Sequence, residues 1–335
     1  MELNPGQLIG NYRVVRQLGQ GGMGTVYEVE HVGLRKRMAL KVFAAEGSKK
    51  EFLRKRFLAE GRILSRLDHP RLVRVFDLEI DEKADVPYFA MDLVLDSSGE
   101  PCTLERWRKD GKADEAGIAA VYGDLREGLS YLHRSGVVHR DIKLENVLVD
   151  SDGHVVLSDF GVSRIFDERL RNELSVTVTF ATDRVPIMGS FGYLAPELKC
   201  GEAATPASDA YALGVLIFRL LTGVWYENDS TAMDLLAGFD EGWTALLSQL
   251  LAEDPSSRLP LPALKLARGV RHSAPVGEAA SRRLCQKNWW RRRWMQIAVV
   301  AGLSALVLVG WCYLGTRPPH YDFDEVFPPD EEVMR

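Results

Sequence analysis

The chain has 335 residues, 46% hydrophobic and 27% charged, a length and balance that exclude a collagen, a disulfide mini-protein and a wholly disordered chain. Its net charge of −5 is unevenly spread: residues 282–296 carry six bases and no acid, 315–335 carry six acids and two arginines, and 1–281 are left at −7. An acidic body argues against nucleic acid as a partner, and four cysteines without a C-x-x-C pair (Cys102, Cys200, Cys285, Cys312) suggest neither a zinc site nor a disulfide framework.

Residues 12–30 read as strand, glycine loop, strand, with the loop formed by Gly19-Gln20-Gly21-Gly22-Met23-Gly24-Thr25-Val26. Glycine lets backbone amides approach phosphate oxygens without a Cβ in the way. By itself the pattern is weak. A dinucleotide-binding loop should run from strand into helix, whereas Val26-Tyr27-Glu28-Val29 continues as strand, and a plain hairpin turn remains open. Next, Met38-Ala39-Leu40-Lys41-Val42 forms an apolar strand holding one lysine, and a charge in a buried strand needs a partner or an anionic ligand. Residues 57–67 read as a helix with Phe57, Leu64 and Leu67 inward and Glu60 one turn before Leu64, which makes Glu60 the natural partner of Lys41.

Further along, Ile118, Val121, Leu125, Leu129 and Leu132 recur at helical spacing, with Gly136 just past the end. Two apolar pieces then enclose His139-Arg140-Asp141-Ile142-Lys143-Leu144-Glu145-Asn146, so the polar cluster sits on a loop anchored by packed flanks. A turn leads to Val155-Val156-Leu157-Ser158-Asp159-Phe160-Gly161. Asp141, Asn146 and Asp159 supply the hard oxygen ligands and the base that Mg²⁺-dependent phosphoryl transfer requires.

Residues 297–314 are 18 in a row without a charge, the length of a transmembrane helix candidate. Trp289, Trp290 and Trp294 precede the run, Trp311 and Tyr313 fall at its far end, and Arg291, Arg292 and Arg293 stand before it. The aromatic belt and the basic flank predict a cytoplasmic body with only the C-terminal residues across the membrane. Gly302, Ser304, Ala305 and Gly310 are small residues that could let two such helices pack, which leaves a homodimer open.

The ordered set of the Gly19 to Val26 loop, Ala39-Leu40-Lys41, Glu60, His139-Arg140-Asp141 with Asn146, Asp159-Phe160-Gly161 and Ala195-Pro196-Glu197 resembles the eukaryotic-type protein kinase family, over residues 12–270. The tight glycine loop and the single span are most similar to bacterial membrane-anchored Ser/Thr kinases. The resemblance implies an α+β, bilobal protein kinase fold with a small β-rich N-lobe and a larger helical C-lobe. It would be followed by a basic juxtamembrane linker over 271–296, one C-terminal transmembrane helix over 297–314 and a short acidic extracytoplasmic tail over 315–335. The protein would be a single-pass protein of the bacterial plasma membrane.

By the same resemblance ATP and Mg²⁺ are the cofactors and protein Ser/Thr hydroxyls the acceptors. The loop of Gly19, Gln20, Gly21, Gly22, Met23 and Gly24 would cover the phosphates, Lys41 would hold the α and β phosphates, and Glu60 would orient Lys41. Asn146 and Asp159 would bind Mg²⁺, Asp141 would take the hydroxyl proton, and Lys143 would steady the γ-phosphate. Adenine would lie between Leu18, Val26 and Ala39 on one side and Leu148 on the other, with Met91 behind and the backbone from Asp92 to Val94 offering hydrogen bonds. Leu64, His139 and Phe160 would form a packed column. Asp209 would brace the catalytic loop, and Arg258 would pair with Glu197.

Between Asp159 and Glu197 the hydroxyls of Ser175, Thr177, Thr179 and Thr182 are candidates for autophosphorylation, with Arg140 as the phosphate's partner. Ser190 stands where the family usually has Thr. Residues 222–246 lack the family's Pro-Phe after Thr222-Gly223, which predicts an altered substrate-docking surface. A pseudokinase acting as a membrane scaffold is the alternative, although none of Lys41, Asp141 or Asp159 is missing. A small-molecule kinase of related fold is a third reading, against which the Ala-Pro-Glu segment and Lys143 count.

Overall fold

In the computed structural model, residues 2–21, 23–45, 47, 50–159, 164–165, 191–226 and 232–266 are described, and all belong to one unit spanning Met1–Val276. The N-terminal part is a six-stranded antiparallel sheet in the order β1-β2-β3-β4-β6-β5. Its strands are β1 (Leu8–Ile9), β2 (Tyr12–Gln20), β3 (Gly24–His31), β4 (Lys36–Phe43), β5 (Val75–Asp81) and β6 (Val86–Met91). Alternation along β4 decides where chemistry can sit. Met38, Leu40 and Val42 join Tyr12, Val14, Tyr27, Val29, Tyr88 and Ala90 in one buried cluster, so Ala39, Lys41 and Phe43 face the other way. On that second face Phe43 and Phe89 pack against Phe57.

Helix α1 (Lys50–Leu64) carries Phe57 and buries Glu60, Gly61, Ile63 and Leu64. It begins seven residues before the span expected from sequence, because its first turns are mostly charged and show no apolar stripe. It also ends sooner, with Leu67 buried in the following turn. A Cβ on Gly61 would meet Leu78 Cδ1 at 2.9 Å, which lets the helix lie close over β5.

The C-terminal part is helical. After α2 (Leu104–Lys109), α3 (Glu115–Arg134) starts at Asp114, whose carboxylate accepts the Gly117 amide at 2.7 Å, and ends at Ser135 before Gly136 with φ 75°. Two short antiparallel pairs follow: β7 (Val137–Val138) with β10 (Arg164–Ile165), and the hairpin of β8 (Val147–Val149) with β9 (Val155–Leu157). The remaining α-helices among the described residues are α4 (Pro196–Lys199), α5 (Pro206–Thr222) and α6 (Glu241–Leu250). Almost every residue of α5 is buried, as expected of a helix that is apolar all round and forms the centre of its lobe. Its start is fixed by Pro206 at the first turn and a reciprocal Thr205–Ser208 capping box.

The two lobes are joined by backbone pairs: Val73 N–H donates to Leu157 O and Leu157 N–H to Arg71 O, each at 2.9 Å. Among the described residues no helix is long and apolar enough to cross a membrane. The predicted span 297–314 lies outside them.

Candidate active site

Two clusters of charge face one another where the lobes meet. In the first, Lys41 Nζ lies 2.8 Å from Glu60 Oε1 and 2.9 Å from Asp159 Oδ1, which is the partner that sequence assigned to Lys41 plus a second carboxylate 118 residues away. The register Val26↔Lys41↔Phe89 sets the lysine in mid-sheet. Burial by itself would lower its pKa, but the charges of Asp159 and Glu60 outweigh burial and raise it, so the ammonium is held charged. Lys41 in turn holds the Asp159 carboxyl below its ordinary value. For Glu60, buried more completely than either partner, burial is the larger effect and raises its pKa against the pull of Lys41.

The second cluster stands on the loop after β7. Lys143 Nζ donates to Asp141 Oδ2 at 2.6 Å, and Asn146 Nδ2 donates to Asp141 Oδ2 and to its backbone carbonyl, both at 2.8 Å. A longer contact of 3.4 Å from Asn146 Nδ2 to the Asp159 carbonyl ties the two clusters together. With its amide nitrogen turned toward Asp141, Asn146 has its side-chain oxygen to offer a metal, and Asp159 has its carboxylate. Two hard oxygen donors suit Mg²⁺, which completes its shell with water and phosphate oxygens. Among the described residues no group of three or more His, Cys, Asp or Glu side chains could form a metal cage.

The loop is braced as the resemblance implied. Asp209 Oδ2 accepts the His139 amide at 2.8 Å and Oδ1 the Arg140 amide at 2.9 Å. His133 Nε2 lies 2.9 Å from Asp209 Oδ2. Arg140 and Asp159 have φ of 74° and 46°, left-handed values that non-glycine residues seldom adopt and that here flank the charged clusters. His139 is fully buried and its pKa is lowered by that burial, in keeping with a packing role. Phe160, the third member of the predicted column, and Gly161 lie outside the described residues, as do Gly22, Ser175, Thr177, Thr179, Thr182 and Ser190.

The expected adenine walls have the exposure of a cleft lining: Leu18, Val26, Met91, Val94 and Leu148 are half-buried and Ala39 is buried. Ala39 and Met91 are paired directly across β4 and β6. One expectation is narrowed. The Asp92 amide donates to Arg74 O at 3.0 Å, so the hydrogen-bonding groups of this connector reduce to its other peptide atoms. The loop glycines also differ in why they are glycine. A Cβ on Gly19 would meet nothing within 4 Å and one on Gly21 only the Gly24 carbonyl at 3.8 Å, but one on Gly24 would stand 2.4 Å from the Val42 carbonyl. Gly24 is required by strand packing whatever the loop binds.

The protein kinase domain family model matches residues 12–267. The chain belongs to that family. It is 31% identical over 278 residues to the serine/threonine-protein kinase PknJ of Mycobacterium tuberculosis, covering 77% of this chain and 44% of that protein. It is also 31% identical over 255 residues to the serine/threonine-protein kinase PrkC of Bacillus subtilis, covering 75% of this chain and 35% of that one. The chain thus covers less than half the length of these relatives. Among solved structures, a double-mutant PknI kinase domain from Mycobacterium tuberculosis superposes with a TM-score of 0.59 at 26% identity, covering 78% of this chain and 95% of that one.

The kinase domain also holds charged groups that sequence reasoning passed over. Glu28, 1% exposed, is gripped by Arg16 Nε at 2.6 Å and Arg37 Nη2 at 2.7 Å. The only sequence signal was its place in a strand, facing opposite to Tyr27 and Val29. Glu197 and Arg258, paired by resemblance, form a buried two-pronged ion pair at 2.7 and 3.0 Å. Where the family's Pro-Phe is missing, Trp225 packs its ring on Gly192 and edge-on to Tyr193 at 5.1 Å, with the Arg219 guanidinium 4.0 Å from its centroid. The departure in sequence marked the place but not what fills it.

Proposed function

We propose that the chain is an ATP- and Mg²⁺-dependent protein Ser/Thr kinase that phosphorylates its own activation segment and is anchored in a bacterial plasma membrane by residues 297–314. The observation that carries the reading is the joint geometry of Lys41–Glu60–Asp159 and Asp141–Lys143–Asn146, complete and tied together through the 3.4 Å contact of Asn146 with the Asp159 carbonyl. Bound Mg²⁺ would supply charge neutralisation at the phosphate oxygens, held by Asn146 and Asp159. Lys41, charged and already oriented by Glu60, binds the α and β phosphates. Asp141 accepts the proton of the Ser or Thr hydroxyl as its oxygen bonds to the γ-phosphorus and the bond to the ADP oxygen breaks. Lys143 lies beside the moving charge. No nucleophile on the protein is required, because positioning and electrostatics carry such a transfer.

The anchor rests on the uncharged run with its tryptophan belt and arginine flank. Phosphoryl transfer is tested with radiolabelled ATP and Mg²⁺ on the full chain beside Asp141→Asn, followed by phosphoamino-acid analysis. Label on Ser or Thr that vanishes in the variant supports the proposal. Label that persists in Asp141→Asn, or absence of label in a folded ATP-binding chain, refutes it. The anchor is tested by alkaline extraction of membranes: the full chain should stay in the pellet and a chain ending at residue 281 should not.

A further inference from the structure

At the adenine end of the cleft an ion pair ties the two walls together, and phosphoryl transfer as derived above makes no use of it. Along β4, Arg37, Ala39 and Lys41 share one face. Ala39 is an expected adenine wall and Lys41 the phosphate anchor, so Arg37 lies beyond the adenine on the side away from the phosphates. The register Arg16↔Glu28↔Ala39 sets Arg16 of β2 and Glu28 of β3 in line with that wall. Arg16 makes two ion pairs at once: its Nε holds Glu28 Oε2 at 2.6 Å, and its Nη1 reaches Glu100 Oε2 at 2.7 Å. Arg37 Nη2 takes the other oxygen of Glu28 at 2.7 Å.

Arg16 and Glu100 belong to opposite walls. Arg16 stands two residues before Leu18, expected on one side of the adenine. Glu100 stands three residues before Thr103, which bridges to Leu148, expected on the other side, and the Val149 amide donates to the Cys102 carbonyl at 2.8 Å. Both partners are held before they meet. Asp96 Oδ1 accepts the amides of Ser98 and Glu100 at 2.9 and 3.2 Å, and the Asp96 amide donates to the Glu100 carbonyl at 2.9 Å, so a closed loop presents Glu100. On β2, the buried carboxylate of Glu28 fixes the Arg16 guanidinium. An ion pair between two free surface side chains gains little because ordering them costs entropy, and here part of that cost is already met by other contacts. We propose that Arg16 and Glu100 form a strap across the adenine end of the cleft, which holds β2 and the glycine loop it carries down on the opposite wall and slows the escape of bound nucleotide. Both act as positioning residues. The inference deepens the ATP reading of the cleft and rests on it.

The test follows dissociation of methylanthraniloyl-ADP from the full chain with Mg²⁺, by stopped-flow fluorescence after a chase with excess ATP. Arg16→Gln and Glu100→Gln change side chains that are 38% and 48% exposed, and Glu28 keeps Arg37 in either variant, so both should fold. Each should speed dissociation about two- to fivefold, the range that an exposed ion pair with preset partners allows. The double variant should be no faster than the quicker single one, because both substitutions remove the same contact. Salt supplies a readout that a merely structural role would not move: rising ionic strength should speed dissociation more in the parent than in Glu100→Gln. Dissociation unmoved by either variant, single effects that multiply in the double variant, or equal salt dependence in parent and Glu100→Gln would overturn the strap and leave nucleotide binding standing. A folded chain that does not bind the analogue at all would overturn the ATP reading, and the strap with it.

Discussion

Removing the Arg258 side chain tests how the C-terminal lobe is held together. The guanidinium is fully buried and donates to both oxygens of Glu197 at 2.7 and 3.0 Å, to Ala252 O at 2.7 Å, to Glu253 O at 2.9 Å and to Ala207 O at 3.2 Å. Arg258→Ala leaves the Glu197 carboxylate buried without its counter-charge and takes a donor from three carbonyls. Breaking one side of such a pair costs about 3–5 kcal/mol. For a domain of roughly 250 residues, unfolding entropy makes each kcal/mol worth about 2 °C, so Tm should fall by roughly 6–10 °C. Thermal denaturation followed by circular dichroism measures this, and a double-mutant cycle separates the pair from its surroundings. Because Glu197→Ala already removes the stranded charge, the double variant should be more stable than the sum of the single losses by about 1–3 kcal/mol. A single variant within about 1 °C of the parent, or strictly additive losses, would refute the reasoning.

Gly24→Ala should destabilise the domain by about 1–3 kcal/mol, since its Cβ would fall 2.4 Å from a backbone carbonyl that cannot swing away, whereas Gly19→Ala should leave Tm within about 1 °C; urea or thermal unfolding of the two variants compares them. Glu60→Gln keeps an oxygen that can accept from Lys41 but removes its charge, which leaves Asp159 to supply the counter-charge, and weakening a charge-assisted hydrogen bond of about 1.5–3 kcal/mol predicts a fall in kcat/KM for ATP of roughly 10- to 100-fold; a change under twofold would contradict the role given to Glu60. Burial lowers the His139 pKa, so the unfolded chain binds this proton before the folded one does. Its contribution to stability is therefore intact above about pH 6.5 and lost as pH falls toward the folded value, at up to about 1.4 kcal/mol per pH unit. Urea titrations at pH 7.5, 6.5 and 5.5 should show a steeper acid loss in the parent than in His139→Asn.

Much of the site could be read from the chain because its parts are local. A lysine inside an alternating strand, a carboxylate one turn before an inward leucine, and a polar loop between two apolar pieces each announce a residue that burial must explain. Periodicity of 2 and 3.6 fixes which side chains share a face, so Lys41 pointed away from Leu40, and α3 came out with the apolar stripe its spacing implied. Helix limits were less legible where the first turns are charged, as in α1, because those turns are exposed or half-buried and carry no apolar stripe, while the buried residues begin at Phe57.

What tertiary structure alone decided is which distant groups meet. Asp159 reaches Lys41 across 118 residues, and Asp209 reaches the His139 and Arg140 amides across about 70. Such partners depend on how sheet, loops and central helix stack, which no local pattern encodes. The same holds for the different reasons behind equal letters: Gly19 and Gly24 read alike in a glycine loop, but only one lies against a neighbouring strand's carbonyl. It holds as well for Glu105, one acid among several in the sequence, which receives Arg219 from 114 residues away because α5 brings it there. Sequence by itself determined the residue types, their periodicity and their order, since these follow from local burial and backbone preference. Long-range charge pairing and close backbone approach were settled by the packed fold, because both depend on distances that exist only once the lobes are assembled.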